Sequence, residues 1–218
     1  MLKFYYNPIS VNTLRVWVAL LEKQVPFEPI LVTLDGDQFE TDFTAVNPLQ
    51  RIPVIVDNGF RIIESLAILD YLEAKYPTRS LMPSQPEDVA KVRIVEMVAV
   101  NELQPATVPL TRSLVGLDID DQKLDAAKKR IISVMLFYED LLGTHSYFIG
   151  EEITLADIVA GTIVPSLPMF GFSFDLYPRL KAWSERLLMR ESWQQITPQP
   201  EVMEAALPIV RKILEQRL

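Results

Sequence analysis

Apolar and polar positions follow two different rhythms along this chain. In the first third, short runs with a period of two alternate with runs of helical period. Leu2 to Tyr6 reads as a short strand. Val11 to Lys23 places Leu14, Trp17, Val18 and Leu21 at i, i+3, i+4 and i+7, which predicts a helix. Phe27 to Thr33 is a second strand, and Pro29, lacking an N–H for the ladder, puts it at a sheet edge. Residues 37–45 form a weak helix or an irregular segment. Val54 to Ile63 holds two strand runs around Asn58-Gly59, a pair suited to a hairpin turn whose two central residues need φ > 0. Leu66 to Tyr76 follows as a helix with Leu66, Leu69 and Leu72 on one side, and Ser65 is its expected N-cap. The order β-α-β, then β-β-α, predicts a parallel pair joined by a right-handed crossover and extended by antiparallel strands.

Beyond residue 76 the period-two rhythm nearly vanishes. Pro77 to Pro86 (PTRSLMPSQP) carries three prolines and reads as a linker. Helical periodicity then covers Glu87 to about Leu114, Gln122 to Leu142, Thr154 to about Ile163, Tyr177 to Met189 and Glu201 to Gln216. Pro105 and Pro109 should kink or interrupt the first of these. Thr154-Leu155-Ala156-Asp157 has the form of a capping box, with Asp in place of the usual Glu or Gln, and Trp183 and Trp193 are assigned to the bundle core. The expected organisation is an α/β domain over residues 1–76, a linker over 77–86 and an all-α domain over 87–218.

Composition narrows the chemistry. The chain has 218 residues, no cysteine and one histidine, His145. It therefore has no thiol nucleophile or Cys-based zinc site of its own, and His-rich metal binding is not expected. A net charge of −8 argues against broad nucleic-acid binding. No apolar run reaches about 18 residues, so no membrane span is expected, and no signal peptide is read at the N-terminus.

Candidate chemistry lies in two places. From Asn47 to Ser65 the chain carries Ile52-Pro53 at a strand start, the hairpin, and Glu64-Ser65 at the mouth of the next helix. A strand edge, a hydroxyl and helix-start amides meeting there suit a small anion such as a carboxylate. The second place is Asn7-Pro8-Ile9-Ser10, between the first strand and the first helix. Ser10 is read either as a plain N-cap or as a hydroxyl that donates to a thiolate or carboxylate. With one histidine, in the other domain, a Ser-His-Asp triad is not expected.

Taken in order, NPISVNTLRV, NPLQRIPVIVDNG, IIESLAILDYLEAKYP and GEEITLADI resemble the cytosolic glutathione transferases of the serine type (phi-, theta- or zeta-like). The resemblance spans essentially the whole chain. It implies a thioredoxin-like N-terminal domain with a mixed four-stranded sheet, a helical C-terminal domain, a cis proline at Pro53, a homodimer and a cytoplasmic, detoxifying or stress-response role. It implies glutathione as co-substrate, with no metal, and a small hydrophobic electrophile or a peroxide as its target.

The resemblance also assigns roles. Ser10 is the implied catalytic serine, donating to the glutathione sulfur, a contact that Asn12 and Thr13 near the helix start could share. Glu64 and Ser65 are implied to bind the γ-glutamyl end, Ile52 with Pro53 to pair with the cysteinyl backbone, and Arg51 and Gln38 to approach the glycyl carboxylate. Val108, Thr111 and Arg112 are implied lining for the electrophile, with helix packing as the competing reading. Two departures stand out. Gln38-Phe39 replaces the His-Lys common in plant-type members, and Gln50 replaces a glycine common before the basic residue. Two other functions compete with catalysis: a docking or dimerisation module, which an exposed apolar patch would favour, and a carrier of hydrophobic ligands, which would tolerate loss of Ser10.

Overall fold

Four strands form one mixed sheet in the order β2-β1-β3-β4. The computed structural model describes residues 1–34, 36–198 and 200–215. Strand β1 (Leu2–Tyr6) runs parallel to β2 (Phe27–Leu31) and antiparallel to β3 (Val54–Asp57), which pairs with β4 (Phe60–Ile63). Pro29 lies in β2, at the edge, where its missing N–H costs no ladder bond. Asp57 pairs with Phe60 across a two-residue loop, and Asn58 (φ 48°) and Gly59 (φ 84°) adopt the left-handed conformations that this turn requires.

Strand register sorts the side chains onto two faces. Phe4 sits opposite Ile55, and both are fully buried. Tyr5 sits opposite Val54 on the other face, where Val32, Phe43, Ile52 and Val54 form an apolar cluster. Helix α1 (Val11–Glu22) packs against α3 (Ser65–Lys75), while α2 (Thr41–Val46) contributes Phe43 to the second face. On α1 the deepest residues include Val16, Ala19 and Leu20, and Leu14, Trp17 and Leu21 of the expected stripe are only half-buried. Trp17 is drawn instead to the aromatic rings of the first strand, lying 4.9 Å from Tyr6 and 6.5 Å from Phe4. The buried Lys23 ammonium bonds Glu73 at 2.6 Å and the Arg79 carbonyl at 3.3 Å, tying the end of α1 to α3.

The helical region contains α4 (Pro86–Val98), α5 (Gln104–Leu114), α6 (Asp121–Leu142), α7 (Leu155–Gly161), α8 (Pro178–Leu188), α9 (Glu191–Ile196) and α10 (Pro200–Glu215). The long helix expected from Glu87 to Leu114 is divided by a π-helical turn at Ala99–Leu103, with Pro105 in the first turn of α5 and Pro109 inside it. A wider turn absorbs the hydrogen bond that a proline cannot make. Helix α9 and a 3₁₀ segment at Val164–Phe170 have too few turns to show a period in the sequence.

The Asp157 carboxylate is fully buried. It accepts from the Thr154 amide (2.9 Å) and hydroxyl (2.9 Å), the Phe148 amide (3.0 Å) and the Trp183 indole (2.9 Å). The capping box is thus also a brace between three segments. Trp183 and Trp193 are both core residues. By packing, Met1–Ser80 with Gln195–Ile209 forms one unit, and Leu81–Gln194 with the chain from Val210 forms the other.

Candidate functional site

Register brings three loop segments to one end of the sheet. Tyr5 pairs with Val54, and Val54 pairs with Ile63. The segments that continue from these positions are the turn after Tyr6, the Ile52-Pro53 approach to β3 and the Glu64-Ser65 exit from β4. All three therefore share an edge, and they carry the candidate residues of the first unit other than Gln38.

Ser10 is the N-cap of α1 (φ −89°, ψ 113°), and its hydroxyl oxygen accepts the Thr13 amide at 3.4 Å. Accepting on the protein side leaves the hydroxyl hydrogen to be given elsewhere. The turn before it is fixed by Asn7, whose carbonyl accepts the Ser10 amide at 3.1 Å.

At the second segment, Ile52-Pro53 is cis and both residues are buried. Arg51 is exposed and makes no ion pair among the described residues. Asn47, buried, donates to the Arg51 carbonyl at 2.6 Å. Gln50 lies at φ 56°, a conformation that glycine adopts without penalty and that costs a residue with a side chain backbone energy. The backbone of Gln38 lies in the 3₁₀ turn Asp37–Phe39, and its side chain lies outside the described residues.

The third segment corrects one expectation. The N-cap of α3 is Glu64, not Ser65. Glu64 is held at φ 65°, ψ 119°, which turns the chain from β4 directly into the helix and leaves Ser65 as the first helical residue. Neither side chain is spent on capping α3. The amides of Ser65, Leu66 and Ala67 precede the first intrahelical bond, from Ile68 to the Glu64 carbonyl at 2.9 Å. The Ser65 hydroxyl is buried and accepts from Arg15 Nη1 at 3.5 Å, the long end of hydrogen bonding. The first turns of α1 and α3 contain no acidic residue, so the positive ends of both dipoles are not offset there. Glu64 is exposed and adds one negative charge beside them, so the edge can meet both a carboxylate and an ammonium.

The sequence does not show the turn bonds of Asn7 and Asn47 or the link from Arg15 to Ser65. The repeated Asn-Pro dipeptide was the available signal for the two asparagines. Val108, Thr111 and Arg112 all lie on α5, in the second unit. Val108 is exposed, the Thr111 hydroxyl donates to the Thr107 carbonyl (2.8 Å), and Arg112 donates to the Leu214 carbonyl (2.8 Å). Among the described residues no group of three metal-ligating side chains converges, and no helix is long and apolar enough to cross a membrane.

The sequence matches the family profiles for the glutathione S-transferase N-terminal domain over residues 4–80 and C-terminal domain over residues 98–191. It is 32% identical over 200 residues to glutathione S-transferase hmp2 of Hypomyces subiculosus, covering 86% of this chain and 94% of that one. Maleylacetoacetate isomerase of Rattus norvegicus is 29% identical, over 84% of this chain and 86% of its own. Glutathione transferase F7 of Populus trichocarpa superposes with a TM-score of 0.79 at 26% identity, covering 90% of this chain and 97% of that one. With both domain profiles matched in order and the four-stranded sheet and helical region in place, the chain belongs to the glutathione S-transferase family and is a glutathione transferase enzyme.

Proposed function

We propose that this transferase binds glutathione along the shared sheet edge and holds its sulfur as a thiolate for attack on a small hydrophobic electrophile. The observation that carries this is the Ser10 hydroxyl, which accepts the Thr13 amide and so has its proton to give at the start of α1. A free thiol with a pKa of about 8.5 is mostly protonated at neutral pH. A donated hydrogen bond and the positive end of a helix both favour the charged form, which is the nucleophile.

The other roles are carried over from the resemblance to the family. Ser65, already accepting from Arg15, gives its proton to the γ-glutamyl carboxylate beside the α3 amides, and Glu64 meets the γ-glutamyl ammonium. Ile52 offers its backbone to the cysteinyl unit as an added strand does. Arg51 and Gln38 approach the glycyl carboxylate. Isomerisation and peroxide reduction use the same sulfur. Similarity to an enzyme named as a maleylacetoacetate isomerase favours testing an isomerase substrate beside conjugation substrates.

The test is the ultraviolet absorbance of bound glutathione thiolate, followed against pH in wild type and Ser10→Ala. A thiol pKa below the free value that rises in the variant supports the reading. Bound glutathione whose pKa equals that of the free tripeptide in both proteins overturns it.

A further inference from the structure

Two stretches of the first unit repeat one four-residue device. They are Asn7-Pro8-Ile9-Ser10 and Asn47-Pro48-Leu49-Gln50. In each, the asparagine carbonyl accepts the amide three residues on, at 3.1 and 2.8 Å. Its side-chain oxygen accepts the amide two residues on, at 3.1 and 3.0 Å. Its side-chain nitrogen donates to a main-chain carbonyl: Val32 at 2.9 Å in the first case, Arg51 at 2.6 Å in the second. This is an Asx turn laid over a β-turn with proline at its second position. Both asparagines are buried, at 9% and 2% exposure. The device needs a donor and an acceptor on one short side chain. Ionised aspartate lacks the donor and alanine lacks both.

What each turn carries differs. The fourth residue of the first turn is Ser10, and the residues that follow the second are Arg51, Ile52 and Pro53. The first carboxamide also extends the β1–β2 ladder by one bond, because the Val32 amide donates to Tyr6 while the Val32 carbonyl takes the Asn7 side chain. Ser10 is thereby referenced to the sheet. The second carboxamide closes its own loop on the Arg51 carbonyl, so it sets the path of the chain into β3.

We propose that Asn7 and Asn47 are the two positioning residues of the glutathione site, with separable duties. Asn7 sets the Ser10 hydroxyl against the sulfur, and Asn47 sets the Arg51–Pro53 segment against the peptide backbone. This rests on the reading of Ser10 and of Arg51–Pro53 given above. Small displacements of a positioned group cost rate steeply, so each loss should fall on the step its turn serves.

The experiment measures two quantities, the pKa of the bound thiol and the dissociation constant of glutathione by calorimetry. The proteins are wild type, Asn7→Ala, Asn47→Ala, Ser10→Ala and the double variant Asn7→Ala/Ser10→Ala. Asn7→Ala should raise the thiol pKa and lower kcat, with affinity nearly unchanged when measured below the bound-thiol pKa, where glutathione binds as the thiol. In the Ser10→Ala background the same change should move the pKa no further, because coupled residues are not additive. Asn47→Ala should weaken glutathione binding about tenfold with the bound-thiol pKa nearly unchanged. Where an alanine variant does not fold, Asn7→Asp or Asn47→Asp keeps the turn acceptor, and reading the former against its Ser10→Ala double variant removes the effect of the added charge. The proposal falls if the two variants shift both quantities alike, or if Asn7→Ala and Ser10→Ala effects simply add. If Ser10→Ala itself leaves the pKa unmoved, the serine reading fails and the duty of Asn7 fails with it. If Ser10→Ala raises the pKa and Asn7→Ala does not, the positioning proposal alone is overturned.

Discussion

Arg15 Nη1 lies 3.5 Å from Ser65 Oγ, joining a buried cation on α1 to the first residue of α3. The guanidinium can only donate, so the serine must accept from it and has its own hydrogen to offer outward. Ser65→Ala should therefore weaken glutathione binding by about 1–2 kcal/mol, the worth of a charge-assisted hydrogen bond, while leaving the fold nearly unaffected. Calorimetric titration checks this; unchanged affinity in the folded variant would remove Ser65 from the site.

Asp157 serves four donors in three segments, and none of them has water to turn to when it is lost. Asp157→Ala should cost about 3–5 kcal/mol, more than the roughly 1 kcal/mol of an ordinary helix cap. Urea unfolding followed by tryptophan fluorescence reads this directly. A loss of only about 1 kcal/mol would reduce the residue to a simple cap.

Tyr71 and Tyr76 both donate to Asp57 Oδ2 at 2.9 Å. Burial, then the hydrogen bond to Asp57 and its charge, push the Tyr76 phenol up to about 12 from 10.0 and raise Tyr71 in the same direction. A folded pKa above the unfolded value means that the folded state holds the proton more tightly. The stabilisation is complete below pH 10.0 and is lost as pH rises towards about 12. Tyr76→Phe should flatten the fall in stability across that window, as seen in denaturant midpoints at successive alkaline pH values. An unchanged slope would show that other groups govern it.

Gly161 lies under two core side chains. A Cβ there would stand 2.5 Å from Leu187 Cδ1 and 3.0 Å from the Trp193 ring, whose indole donates to the Gly161 carbonyl at 3.2 Å. Gly161→Ala should lower stability by about 1–3 kcal/mol through overpacking. Thermal unfolding reads the loss, and a variant as stable as wild type would show that Leu187 and Trp193 give way to the added methyl.

The strands, the hairpin and the two tryptophans were legible because each rests on local signals: alternation, an Asn-Gly turn and large apolar side chains at helical spacing. The four markers of the family were legible in the same way. What was not legible depends on tertiary geometry. Ser65 looked like a cap because its residue type suits one, but the left-handed backbone at Glu64 moves the helix start one place back. The spacing on α1 predicted the helix, which holds Val18 fully buried, but not that Val16, Ala19 and Leu20 are buried beside it. The link from Arg15 to Ser65 spans fifty positions and leaves no local trace. The two Asn-Pro turns were in plain view, but their likeness shows only when the carboxamide bonds are drawn.

A hydroxyl, not a thiol, stands at the start of α1, and the chain has no cysteine anywhere. On the proposed mechanism the reactive sulfur arrives with one substrate and departs with the product. An enzyme built this way offers the electrophiles it handles no thiol of its own to alkylate or oxidise. Its working lifetime is then set by folding stability and by the supply of tripeptide, rather than by attrition at the active site.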